Sequence, residues 1–314
     1  MRAVTVEPGG VLAIREHPDP EPGVGEVLVR VHGAGVNNAD LGQRRGGYPA
    51  PPGSPAAIPG LDVAGEVVAI GPSATRFVLG DRVMAVVGGG GQAELLSVHE
   101  RQLMPVPDSL TWEQAGGFPE AFITAHDALR TQGGLSPGDR LLVSGAAGGV
   151  GVAGVQIAAA AGAEVIASVR NLGHREALVG LGAAKAIDPA EAEANGPYDV
   201  ILEIVGAINF ESNLRSLNVW GRMLIIGAVA GTEAKLDFMQ LFSKRATVRG
   251  STLRTRPLEE KASATRAVER EVLPFVASGK ITVPIAQTYP LDEASTAYEA
   301  FSTPGKLGKI VLLP

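Results

Sequence analysis

The stretch SGAAGGVGVAG, residues 144 to 154, carries no charge and no side chain longer than valine. Within it Ala146, Gly148 and Gly151 keep the spacing of a dinucleotide fingerprint, with alanine in the first place. A small residue at Gly148 lets the backbone approach a pyrophosphate, and one at Gly151 lets a helix pack closely on a strand. The helix N-terminus then offers unpaired N–H donors to the anion. Ala146, Ala147, Gly148, Gly149, Val150 and Gly151 are therefore the expected pyrophosphate contacts. The alternative is a tight turn that only packs a small-residue helix. A chain that takes NADH carries an Asp or Glu about twenty residues further on, for the ribose hydroxyls. Here that place falls at Ser168, in SVRN, and no acid comes before Glu176. Arg170 can pair with a 2′-phosphate, Ser168 leaves room for it, and His174 and Arg175 add positive charge one turn on. This chemistry points to NADPH. The alternative for Arg170 is a solvated arginine at a strand end.

The loop needs a strand before it and a helix after it. PGDRLLV (137 to 143) reads as a turn and a short apolar strand. The helix that follows is apolar on every face through about Ala161, with Gln156 its only polar residue, and a strand restarts over Glu164 to Val169. A helix apolar all round must be covered on both sides, and the whole has the length of one βαβ unit. Candidate strands at 141–144, 164–168, 185–187, 200–205, 222–227 and 247–250 make six, which suits a doubly wound parallel sheet. The link DPAEAEANGPY leaves room for only a very short helix. Residues 1–121 are instead β-rich: VLVRVHGAGV, VAGEVVAIG, DRVMAVV and AELLSV lie between Gly and Pro turns, as in barrel-like folds. GGYPAPPGSPAAIPG (46 to 60) reads as a loop. Beyond Arg254 the sequence predicts one amphipathic helix over PLEEKASATRAVEREVLPFVASG, a strand over 282–288, a helix over 292–301 and a last strand in GKIVLLP. The expected organisation is an α/β chain with a β-rich domain (1–121), a dinucleotide-binding domain (122–252) and a segment (253–314) that returns to the first.

Composition narrows the function. The 314 residues suffice for two domains. A net charge of −6 supplies no basic surface for nucleic acid or an anionic membrane. The absence of cysteine excludes disulfides, thiolate metal ligands and a thiol nucleophile together. MRAVTVEPGG has no apolar core for a signal peptide, and the longest uncharged apolar run, 149 to 163, is too short and glycine-rich to span a bilayer. A soluble cytoplasmic protein is expected.

The order of motifs resembles the medium-chain dehydrogenase/reductase superfamily, in its zinc-independent quinone oxidoreductase branch. The stretches that carry the resemblance are GEVLVRVHGAGVNNADLGQRRGGYP, IPGLDVAGEVVAIG, VLGDRVMAVVGGGGQAELLSV, SGAAGGVG, DVILEIVG, GRMLIIG, GSTLRTRP and GKIVLLP. The resemblance implies a GroES-like domain, a Rossmann domain and a cleft between them. It places Asn37, Asp40 and Tyr48 on the substrate side as catalytic candidates, Thr124 against the nicotinamide, and Gly227, Ala228 and Val229 at the cofactor edge of the sheet. Tyr48 could stack on a flat ring and donate a hydrogen bond, or only anchor its loop; Asp40 could act in catalysis or brace a turn. Zinc-dependent relatives carry His-Glu where this chain has Leu61 and Asp62, and leucine cannot coordinate a metal. The five histidines show no short-spaced pair, so no metal is expected. The family's usual phosphate-site residues correspond here to His174 and Pro189, a departure that leaves Arg170 as the substitute. Metal-free chemistry implies direct hydride transfer from NADPH to a quinone or conjugated enone. A medium-chain enoyl-thioester reductase and a non-catalytic, crystallin-like NADPH-binding protein are the alternatives. A homodimer paired along TVRGS (247 to 251) is expected.

Overall fold

A computed structural model describes residues 1–314, which divide into two compact units: Met1–Ile123 with Leu253–Pro314, and Thr124–Thr252. The first unit is built from strands β1 (Arg2–Glu7), β2 (Val11–Glu16), β3 (Glu26–Gly35), β4 (Asp62–Ile70), β5 (Arg82–Val86), β6 (Leu95–His99) and β7 (Leu103–Pro105). β1 and β2 form a hairpin of their own. Strand β3 shows why this half is a sheet: EVLVRVHGAG alternates, so Val27, Val29 and Val31 turn into the core while Arg30 faces out. The short helices α1 (Asn38–Arg44) and α2 (Trp112–Gly116) belong to this unit, and α3 (Pro119–His126) follows.

The second unit carries β8 (Arg140–Ser144), α4 (Gly149–Ala160), β9 (Glu164–Ser168), α5 (Arg175–Gly180), β10 (Lys185–Ile187), β11 (Tyr198–Glu203), α6 (Phe210–Ser216), β12 (Leu217–Ile225), α7 (Phe238–Lys244) and β13 (Thr247–Gly250). The strands are parallel in the order β10-β9-β8-β11-β12-β13, a doubly wound Rossmann sheet whose order reverses between β8 and β11. Only two single 3-10 turns, Pro189–Glu191 and Glu193–Asn195, fit in the link before β11. All six expected strands are present, but β11 and β12 end two residues earlier than the sequence predicts. The reason is local. The Glu203 carboxylate draws the Val205 and Gly206 N–H groups out of the ladder, at 2.6 and 2.7 Å, and Gly227 lies against the Ile204 carbonyl, where a Cβ would stand 2.2 Å from it.

The chain then returns to the first unit through α8 (Leu258–Glu271), α9 (Leu273–Ala277), β14 (Ile285–Pro290), α10 (Ala294–Ser302) and β15 (Lys309–Leu313). β15 pairs with β3 and β14 with β15, giving the path β14-β15-β3-β4-β5-β7. The single helix expected over 257–279 is two helices that break at Val272. Pro274 explains the break, because it has no N–H to donate and its ring would clash with the preceding turn. The strand expected at 282–288 forms over 285–290 instead.

Candidate active site

The glycine loop leaves β8 through Gly145, which has φ +79°, and reaches Gly148 as the N-cap of α4. The two key glycines are small for different reasons. A Cβ on Gly151 would lie 2.4 Å from the Gly145 carbonyl and 2.6 Å from the Ala146 Cα, so the helix could not close on the strand with anything larger. A Cβ on Gly148 would meet only the Gly145 carbonyl, at 3.6 Å, and its φ of −75° suits any residue. Neither packing nor backbone demands glycine there. What remains is the open side of an exposed backbone at a helix N-terminus, a geometry that suits an anion. Ala146 is buried and its N–H donates to the Ser168 carbonyl at 3.0 Å, so the loop and the end of β9 are held together.

Arg170 follows as an exposed side chain with no hydrogen bond or ion pair to another residue. His174 is half-buried, with Nε2 3.2 Å from the Asn171 amide nitrogen, and Arg175 lies 3.7 Å from Glu191. Gly227, Ala228 and Val229 come just past the end of β12, and Val229 is largely exposed. Their backbone packs against the loop after β11: the Ala230 N–H donates to the Val205 carbonyl, and a Cβ on Gly206 would stand 2.7 Å from the Ala228 Cα. Glu203 organises that loop and was not a candidate from sequence. It is buried, and besides the two loop N–H groups it accepts from Asn213 at 2.6 Å and from Asn209. Thr124 is half-buried on α3.

In the first unit Asn37 and Asp40 belong to one buried polar cluster. Asp40 is fully buried; its Oδ2 accepts the Asn37 N–H at 2.8 Å and its Oδ1 the Gly60 N–H at 3.0 Å. It thus caps α1 and ties it to the end of the proline-rich loop, the bracing role rather than an exposed catalytic one. Burial pushes its carboxyl up to about 7, against the lowering effect of those two N–H bonds. Asn37 is committed on both sides of its amide: Nδ2 donates to Asp62 at 2.9 Å, and Oδ1 accepts from Lys309 at 2.6 Å. Lys309 also bonds Asp62 at 2.7 Å, and Asp62 accepts the Glu120 N–H as well. An ion pair this deeply buried leaves a costly lone charge if one partner is removed. Asp62, one of the two residues standing in for the zinc site of relatives, is therefore engaged. No group of three His, Cys, Asp or Glu side chains stands together to hold a metal ion. The residues present do not fit zinc. Lys309 was legible only as the one charge opening the apolar run KIVLL.

Tyr48 is half-buried in the loop after α1. Its carbonyl accepts from Arg254 Nη1 at 3.0 Å, and the Arg254 guanidinium lies 5.1 Å from its ring centroid.

Comparison with known proteins agrees with this architecture. Residues 23–108 match the alcohol dehydrogenase GroES-like domain family and residues 149–270 the zinc-binding dehydrogenase family. The quinone oxidoreductase of Pseudomonas aeruginosa is 31% identical over 318 residues, covering 97% of this chain and 96% of its own. Among solved structures, an NAD-dependent alcohol dehydrogenase superposes with a TM-score of 0.88 at 30% identity, covering all of both chains. The mycobacterial protein Rv1454c, solved in complex with NADPH, superposes with a TM-score of 0.86 at 29% identity, again over the full length of both. With its glycine loop at the carboxyl edge of a Rossmann sheet and a GroES-like partner unit, this chain is an oxidoreductase that belongs to the quinone oxidoreductase family of medium-chain dehydrogenases/reductases.

Proposed function

We propose that the protein reduces quinones or conjugated enones with NADPH, without a metal. The observation that carries the cofactor preference is the end of β9: Ser168 is small and no acid precedes Glu176, while Arg170 is exposed and unpaired. An acid there would repel a 2′-phosphate, whereas a free guanidinium attracts one. The backbone N–H groups at the start of α4, from Gly149 on, hold the pyrophosphate. The expected contact at Ala146 is not one of them, because its N–H is already given to the Ser168 carbonyl. The NADPH complex of a full-length relative supports the same choice of cofactor. When bound, the dihydronicotinamide supplies a hydride. The protein's own share is to place the acceptor and stabilise the negative charge that develops on its oxygen. Tyr48 does the first by stacking and the second by its phenol O–H. A quinone needs no Lewis acid, which suits a site whose Asp62 is already paired with Lys309.

A cytoplasmic location and a homodimer belong to the same reading; no helix of the chain is long and apolar enough to cross a membrane. The test is NADPH oxidation with a small para-quinone, with an enone, with an enoyl thioester and with none, each with and without chelator. Turnover with the quinone or enone that chelator leaves unchanged is expected. Turnover only with the thioester, or loss on chelation, would replace this reading.

A further inference from the structure

Arg254 stands two residues past the end of the second unit, where the chain re-enters the first. It is 2% exposed, yet every acceptor it reaches is neutral. Nε donates to the Gly88 carbonyl at 2.8 Å, Nη1 to the Tyr48 carbonyl, and Nη2 to the Gln43 amide oxygen. The Gln43 amide nitrogen in turn donates to the Ala56 carbonyl at 2.9 Å. At Gly88 the proline-rich loop presses so close that a Cβ would fall 2.1 Å from the Ser54 hydroxyl. One guanidinium thus ties together the last turn of α1, the residue Tyr48 and the strip on which the loop lies. Three neutral acceptors leave the charge of a buried cation without a bonded counter-ion, and stability alone would favour an uncharged group of that shape. The placement of the charge is informative: it lies over the Tyr48 ring. An aromatic face covered by a guanidinium is closed to any other planar group.

We propose that Arg254 is a positioning residue for the reduction, holding Tyr48 by its carbonyl and covering one face of its ring so that a flat acceptor has only the other. This rests on the reading of Tyr48 given above. Lysine cannot replace it, because an ammonium has no planar fork to reach three acceptors at fixed angles.

The test is a double-mutant cycle of Arg254→Met and Arg254→Lys with Tyr48→Ala. In the wild-type background both Arg254 variants should lower kcat/KM for the quinone by about tenfold or more, with the Kd for NADPH changed less than about twofold. In the Tyr48→Ala background the further loss should be under about twofold, since the residue acts through the tyrosine. Independent, additive losses would overturn the proposal, and so would full rescue by lysine. Amide exchange supplies a readout free of activity: residues 43–50 should lose protection in both variants while β3 and β4 keep theirs. Unchanged protection of 43–50 would also overturn it. Should the wild type reduce no quinone at all, the functional reading fails, but the exchange result still decides whether Arg254 holds the tyrosine.

Discussion

Three side chains carry predictions, two read in catalysis and cofactor binding and one in the pH dependence of stability. Tyr48→Ala should lower kcat/KM for a quinone by roughly ten- to a hundredfold, the worth of a stack and a hydrogen bond, with a smaller change in NADPH affinity. Equal losses in both would reduce the tyrosine to a prop for its loop. Arg170→Ala should weaken NADPH by about 1.5–3 kcal/mol and leave NADH nearly unchanged, as expected for a lost charge-assisted hydrogen bond. Cofactor titrations of both proteins decide it; a wild type that already prefers NADH removes Arg170 as the selector. Asp40 makes a prediction about pH. Its carboxyl titrates at about 7 when folded and near 3.9 when unfolded, so between those values the folded chain holds a proton that the unfolded chain has lost. Stability contributed by this group therefore falls as pH rises through that window. Asp40→Asn does not titrate, so its deficit against wild type should shrink by roughly 1–4 kcal/mol between pH 4 and pH 8. Denaturant melts at the two pH values measure this, and a deficit independent of pH would assign the titration elsewhere.

At the scale of elements, the β8–α4 turn separates ligand constraint from packing constraint. Gly151→Ala drives a methyl group into the Gly145 carbonyl and the Ala146 backbone, and should cost about 1–3 kcal/mol of stability by overpacking. Gly148→Ala meets nothing closer than 3.6 Å and loses only an N-cap preference, under about 1 kcal/mol, yet it should markedly weaken the dinucleotide. Melting curves and cofactor titrations on the two variants should therefore rank them in opposite orders. The same ranking in both assays would mean that the small residue at Gly148 does not serve the dinucleotide. Here the sequence was readable because period and punctuation agree: an apolar run, small residues, then a helix with a single polar position. The long helix after Arg254 was misread because the amphipathic pattern continues across Pro274 while the backbone cannot. The early ends of β11 and β12 were hidden because a carboxylate from the strand itself, Glu203, captures the next N–H groups.

For the whole molecule we propose a homodimer through the edge of the second unit. β13 is the last strand of its sheet and is mostly exposed. Trp220 on the neighbouring strand β12, and Phe238, Met239 and Phe242 on α7, which packs against β12, are each more than 60% exposed. An uncovered strand edge beside large apolar side chains is costly in water and favours a partner. Light scattering at micromolar concentration should find a dimer, and Phe242→Asp should shift it toward monomer. A wild-type mass of 32.3 kDa would end the idea.

What the sequence determined by itself is whatever depends on neighbours along the chain. Apolar periodicity placed the six parallel strands, the spacing of Ala146, Gly148 and Gly151 marked the tight turn from β8 into α4, and the lack of cysteine ruled out a thiolate site. These signals are local, because backbone conformation and strand burial are set by residues one to four positions apart. The tertiary structure decided which polar groups end up without water. Lys309 lies 247 positions from Asp62, and Arg254 lies 206 positions from Tyr48, so no local pattern announces either pair. A lysine opening an apolar strand or an arginine in a loop reads as a solvated charge until the fold brings a partner to it. Burial then changes its energetics, since a charge removed from water must find its bonds within the protein. For that reason Asn37 and Asp40 could be picked out as candidates from sequence, while their bonding to Lys309, Asp62 and Gly60 became visible only once β15 had returned to lie beside β3.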